Sequence, residues 1–181
     1  MSLLARQTMA RQTSLLTVSD KNPKLETEWE DFQRRSNFKR SPKLSLGNTG
    51  VEYLILKKGS GEKAGINKTA KIYYSAFFKD DWSTWDSNIG KDLFEFNTGS
   101  REVIVGFNIT VIDMKKGEKR ISLFPPHLAY GDSGPEIGVP ADSSLVFEIE
   151  LVDFSPCDPD QAFFPSNSKQ SPSKAWGKKI F

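Results

Sequence analysis

The chain has 181 residues, 37% of them hydrophobic and 12% aromatic, which suffices for one ordinary domain with flanking segments. Its formal charge of +2 is polarised: residues 1–46 carry a net +4, residues 47–154 a net −4 and residues 155–181 a net +2, so an acidic domain is expected between basic arms. One cysteine (Cys157) and one histidine (His127) rule out an intrachain disulfide and the usual multi-Cys/His metal sites. No Gly-rich phosphate loop and no apolar run of membrane-spanning length occurs.

In chain order, residues 1–46 read as a basic, largely disordered extension. Within it, Glu26 to Phe38 has the makings of a short helix carrying Trp29, Phe32 and Phe38. A domain is expected over 47–154. Val51, Tyr53 and Ile55 alternate as in a strand, and Gly59-Ser60-Gly61 is expected to turn it. Thr69 to Phe78, rich in Tyr and Phe, predicts a second strand ended by Lys79-Asp80-Asp81. Leu93–Phe96 and Lys119–Phe124 predict two more. Ser143 to Phe154 predicts a last one, its apolar Leu145, Phe147, Ile149 and Leu151 alternating with Glu148 and Glu150.

Residues 104–114 are ambiguous. Ile104, Phe107, Val111 and Met114 fall at helical spacing, yet Ile109-Thr110-Val111-Ile112 is β-branched throughout, and propensity alone predicts a strand. Lys115-Lys116-Gly117 suits a helix end. Residues 155–181 read as a Ser-, Pro- and Lys-rich tail.

Glu102-Val103-Ile104-Val105-Gly106, Leu128-Ala129-Tyr130-Gly131 and Leu145–Leu151, with Trp85-Asp86-Ser87 upstream, stand in an order and spacing that resembles the FKBP-type peptidyl-prolyl cis-trans isomerases. The resemblance covers roughly residues 47–154. It implies an α+β fold, a twisted antiparallel sheet of about five strands wrapped around one short helix, and it makes residues 104–114 that helix. It also implies an aromatic cup in which X-Pro bonds isomerise without any cofactor. The site residues it carries over are Tyr74, Asp86, Ile104, Tyr130 and Phe147 for catalysis, with Trp85, Phe94, Glu102, Val103, Phe107 and Val139 contacting substrate. Phe107 would be the floor, the Ile104 N–H and Tyr130 hydroxyl would each hold a carbonyl, and Asp86 would orient a polar group at the edge.

Three positions depart from the family's pattern: Phe107 where a Trp floor is common, Trp85 where Phe is usual, and Gly138 beside Val139 where a second bulky residue is usual. Lys91 is the sole cation where the family often pairs its pocket acid with Arg, and it lacks a planar two-pronged head. The alternative to an active isomerase is therefore an FKBP-like module that recognises partners through the cup with weak or no turnover.

The partners implied are proline-containing polypeptides and macrolides such as rapamycin or tacrolimus. Nucleic acid binding through the arms is the weaker reading, no membrane contact is expected, and a monomer is the default. A cytoplasmic location is expected, with nuclear or organellar import as alternatives, since residues 1–19 hold Arg6 and Arg11 with no acid before Asp20. Asn67-Lys68-Thr69 and Asn108-Ile109-Thr110 match the glycosylation pattern but carry no weight without a secretory signal.

Overall fold

The structure, a computed structural model, describes residues 33–132 and 138–158. Two units divide the chain, residues 1–41 and 42–181. In the first, residues 33–40 are helical (α1), and the Ser41 N–H donates to the Asn37 carbonyl at 2.9 Å. The expected helix over Glu26–Phe38 is thus present from residue 33 on, and its earlier part lies outside the described residues. The tail after Asp158 lies outside them as well.

The second unit runs β1 (Leu44–Ser45), β2 (Glu52–Lys57), β3 (Ser60–Lys63), β4 (Lys68–Phe78), β5 (Thr84–Ser87), β6 (Phe94–Asn97), α2 (Val105–Asp113), β7 (Lys115–Lys116), β8 (Lys119–Phe124) and β9 (Leu145–Pro156). A 3-10 turn at Pro126–Leu128 follows β8. All pairings are antiparallel, in the order β1-β2-β8-β9-β4, with β5 and β6 both on the free side of β4. β6 pairs with Thr69–Ile72 and β5 with Ser75–Phe77, so together they make one interrupted edge. The expected sheet of about five strands is this array, with two-residue β1 added at the other edge.

Period-2 patterning decides which side chains face α2. From β4 come Ala70, Ile72, Tyr74 and Ala76, and from β9 come Leu145, Phe147, Ile149 and Leu151; all are buried in one cluster with Phe107, Val111 and Met114. The pairs Ile72↔Leu151, Tyr74↔Ile149 and Ala76↔Phe147 are directly opposite.

The β-branched run in α2 is helical although neither its propensity nor its termini favour a helix. Its first turn holds no acid, its last turn no base, and Ile104 at the N-cap makes no side-chain cap. Burial decides instead: Phe107 and Val111 are enclosed by the sheet, and the Thr110 hydroxyl is satisfied by the Gly106 carbonyl at 2.7 Å. Asp113 at the C-terminal end opposes the helix dipole, and two cations offset it. Lys63 pairs with it, and Arg120 Nη1 lies 2.9 Å from its Oδ2.

Two local expectations change. Ser60 and Gly61 lie inside β3, not in a turn, and Lys115–Lys116 form β7 against it (Ser60↔Lys116, Lys63↔Lys115) rather than a helix end. Gly117, at φ 74°, makes the reversal that follows. Strand propensity in Ser-Gly-Glu-Lys and Lys-Lys is low, so only the pairing reveals these strands.

α2 approaches β8 closely at Gly106, where a Cβ would stand 2.8 Å from Phe124 Cγ and 3.1 Å from the Leu128 carbonyl oxygen. Gly106→Ala is expected to push the helix off the sheet and cost about 1–3 kcal/mol, read as a lower denaturant midpoint with unchanged slope.

Candidate active site

The residues of the expected cup lie on the inner face of the sheet and the first turn of α2. Phe107, 1% exposed, lies among their rings, edge-on to Tyr74 (centroids 5.8 Å, 82°) and to Phe147 (5.4 Å, 74°). Tyr74 meets Phe94 edge-on at 5.8 Å, and Phe147 stacks on Phe124 at 5.1 Å. Phe96 packs on Phe107 at 5.7 Å. Rings at these separations and tilts gain beyond their burial.

Trp85 and Tyr130 form the outer wall, edge-to-face at 5.7 Å, and both pack half-buried against the core cluster. Val103, Ile104 and Val139 complete it, all buried. The Ile104 carbonyl accepts from the Asn108 N–H at 3.1 Å, and among the described residues nothing accepts from the Ile104 N–H. The loop before β9 is tied at its base, Asp142 N–H donating to the Gly131 carbonyl at 2.8 Å; residues 133–137 of that loop lie outside the described residues.

One polar corner interrupts the apolar lining. The Tyr74 hydroxyl donates to Asp86 Oδ2 at 2.5 Å, and the Ser87 N–H donates to Oδ1 at 2.8 Å. Burial pushes the Tyr74 phenol well above its ordinary value of 10.0, and the Asp86 carboxylate adds to the shift. Tyr130 is raised likewise, by burial first and then by the charge of Asp86. Both phenols therefore stay protonated donors at neutral pH. Lys91 does not reach this corner; its Nζ donates to the Ser87 carbonyl at 3.1 Å.

Of the residues singled out in the sequence, Tyr74, Val103, Ile104, Phe107, Val139 and Phe147 share one apolar cluster, with Trp85, Phe94 and Tyr130 packed against it and Asp86 bonded to it. Glu102 is not in the cluster. It is half-buried on the approach to the helix, with its N–H given to Ser100 Oγ at 3.2 Å.

Sequence reasoning missed the bracing rings Phe96 and Phe124, whose strand alternation was the available signal. It also missed Asn88 and Asn108, whose buried amides hold the loops around the cup. Asn108, at the head of one glycosylation pattern, spends its side chain inside the protein. His127 is exposed, with Nε2 3.4 Å from the Thr49 carbonyl oxygen. Among the described residues no group of three His, Cys, Asp or Glu is placed to hold a metal ion.

This is the architecture of an aromatic-cup immunophilin domain, and comparison with known proteins agrees. The family model of FKBP-type peptidyl-prolyl cis-trans isomerases matches residues 60–152, and the chain belongs to that family. It is 36% identical over 113 residues to the 46 kDa FK506-binding nuclear protein of Spodoptera frugiperda, covering 62% of this chain and 27% of that one. It is 36% identical over 102 residues to peptidyl-prolyl cis-trans isomerase FKBP53 of Arabidopsis thaliana, covering 56% and 21%. The chain thus spans about a quarter of the length of these curated relatives.

Among solved structures, FkpA from Escherichia coli superposes with TM-score 0.59 at 26% identity, covering 85% of this chain and 66% of that one. The N-terminal domain of FKBP42 from Arabidopsis thaliana gives 0.58 at 28%, covering 64% and 93%.

The Tyr74–Asp86 bond is expected to carry about 1.5–3 kcal/mol as a hydrogen bond to a charged acceptor, measured as the stability lost in Tyr74→Phe by denaturant titration. The raised phenols give a second expectation. The unfolded chain releases those protons first, so their stabilising contribution is complete below pH 10 and is lost as pH climbs through the ordinary value toward the folded one. Denaturation midpoints should fall above pH 10, and less steeply in Tyr130→Phe.

Proposed function

We propose that this chain catalyses cis-trans isomerisation of X-Pro peptide bonds, with residues 47–154 as the isomerase domain between a basic N-terminal extension (1–46) and a Ser/Pro/Lys-rich tail (155–181). The observation that supports it best is the ring cluster: Tyr74, Phe94, Phe96, Phe107, Phe124 and Phe147 form one connected set of six aromatic rings with one polar corner.

The barrier is about 18–20 kcal/mol because the planar amide is conjugated, and the reaction needs no nucleophile, metal or cofactor. A twisted amide has lost that conjugation, and its carbonyl is less polar. A dry cup disfavours the planar, polar form relative to the twisted one, and so binds the transition state better than the ground state.

In this reading the proline ring enters over Phe107, between Tyr74, Phe94 and Phe147, with Val103 and Val139 closing the sides and Trp85 on the outer wall. The Ile104 N–H donates to one substrate carbonyl and the Tyr130 hydroxyl to a second. Asp86, held by Tyr74, orients the polar edge of the amide, and the Glu102 main chain runs beside the extended peptide. Macrolides of the rapamycin and tacrolimus type would fill the same cup, and other partners are proline-containing polypeptides. The protein acts as a monomer.

No helix among the described residues is long and apolar enough to cross a membrane. We place the protein in the cytoplasm. The names of the Spodoptera and Drosophila relatives, both FK506-binding nuclear proteins, favour nuclear import as the second reading.

The test is the isomerisation rate of an Xaa-Leu-Pro-Phe peptide at low temperature, with and without rapamycin. Acceleration that rapamycin abolishes, and that falls by about tenfold or more in Phe147→Ala and by less in Tyr130→Phe, is expected. A folded protein that gives no acceleration would make the cup a recognition module instead.

A further inference from the structure

The edge of the sheet beside the cup is broken, and one side chain fills the break. β5 leaves β4 after Ser75 and β6 joins it at Ile72. Between them, Asn88 acts as a substitute strand. Its Oδ1 accepts from the Tyr74 N–H at 2.7 Å and its Nδ2 donates to the Ile72 carbonyl at 3.1 Å, while its own N–H donates to the Tyr74 carbonyl at 3.2 Å. The second Nδ2 hydrogen goes to the Asp92 carbonyl at 3.1 Å, which closes the loop from Asn88 to Asp92 on itself. Asn88 is 8% exposed.

Asp86 lies two residues before this clamp, and Phe94 lies two residues after the loop's far tie. Tyr74 is the residue it grips. Three members of the cup from three strands are therefore referenced to one amide.

The opposite wall repeats the device. Asn108, also 8% exposed, accepts from the Gly99 N–H at 2.9 Å through Oδ1 and donates to the Ser100 carbonyl at 2.6 Å through Nδ2. That fixes the strap that delivers Val103 and the Ile104 N–H to the rim. An amide is the one short side chain that supplies a donor and an acceptor side by side, as a backbone edge does. Buried, each unmet group would cost about 1–3 kcal/mol.

We propose that Asn88 and Asn108 are positioning residues of the isomerase: they act on the X-Pro substrate through Tyr74, Asp86 and Phe94 on one wall and through Val103 and Ile104 on the other. The inference rests on the isomerase reading above. Misplacing catalytic groups by about 1 Å can cost on the order of 100-fold, so the consequence should reach function and not stability alone.

The full chain is compared as wild type, Asn88→Ala, Asn108→Ala and the same-shaped Asn88→Asp and Asn108→Asp, which keep the acceptor but turn a second oxygen toward the carbonyls the donors served. Ile121→Val, buried in β8 outside the cup cluster, is the control for simple destabilisation. Rapamycin affinity and kcat/KM are measured per folded molecule, below every variant's melting range.

Each Ala and Asp variant should lose about tenfold or more in both quantities, while Ile121→Val lowers only the melting temperature. Asn variants that melt earlier but stay within about twofold of wild type per folded molecule would overturn the proposal. Should an Ala variant not fold, its Asp counterpart decides on the same criterion. If wild type itself neither turns over nor binds rapamycin, the isomerase reading fails separately. The positioning claim is then read from the ring chemical shifts of Tyr74 and Phe94 in the Asn88 variants: displaced rings sustain it, unmoved rings overturn it.

Discussion

The structure hangs on the β4–β9 ladder, which pairs all eleven residues of β4 from Lys68↔Pro156 to Phe78↔Leu145. A slip of one residue would turn every side chain of one strand to the opposite face. Tyr74, Ala76, Phe147 and Ile149 could then no longer share a surface. One irregularity belongs to this logic. Between Lys71 and Ile72 the partner jumps from Asp153 to Leu151, leaving Val152 as the extra residue of a bulge. The bulge resets the alternation of β9, so that Phe154 as well as Leu151 turns to the core, and it bends the strand around the helix.

Given that surface, the small residues matter as much as the large ones. Ala70 and Ala76 are fully buried, and Gly106 brings α2 down on Phe124. Close approach lets Phe107 reach both Tyr74 and Phe147. Phe96 packs on Phe107, and Phe124 packs on Phe147.

Among the described residues, Asp86 is the carboxylate hydrogen-bonded to the ring cluster, through Tyr74. The buried cation Arg120, its side chain 4% exposed, sits at the far end of α2, paired with Glu118 and Asp113 and lying over the Tyr53 ring at 4.3 Å. An unpaired charge there would be costly, and two carboxylates with an aromatic face compensate it. The oxygens of Asp86 are met by a phenol and a backbone N–H. An apolar socket with one oriented polar edge suits a ligand that is mostly ring, with a few carbonyls.

The sequence by itself determined the large pieces, because their signals are local. The alternation in Leu145–Leu151, the aromatics of Thr69–Phe78 and the Lys119–Phe124 run each bury one face, and each became a strand. The order of the motifs carried the family. Local signals did not settle residues 104–114, whose β-branched run argues for a strand. Enclosure by the sheet outweighs a propensity worth tenths of a kcal/mol per residue. Nor could they show that Ser60–Lys63 and Lys115–Lys116 pair, that Tyr74 and Asp86 meet, or that Asn88 and Asn108 stand in for backbone. Those depend on which segments lie side by side, and a polar residue's partner is set by the tertiary fold rather than by its own identity.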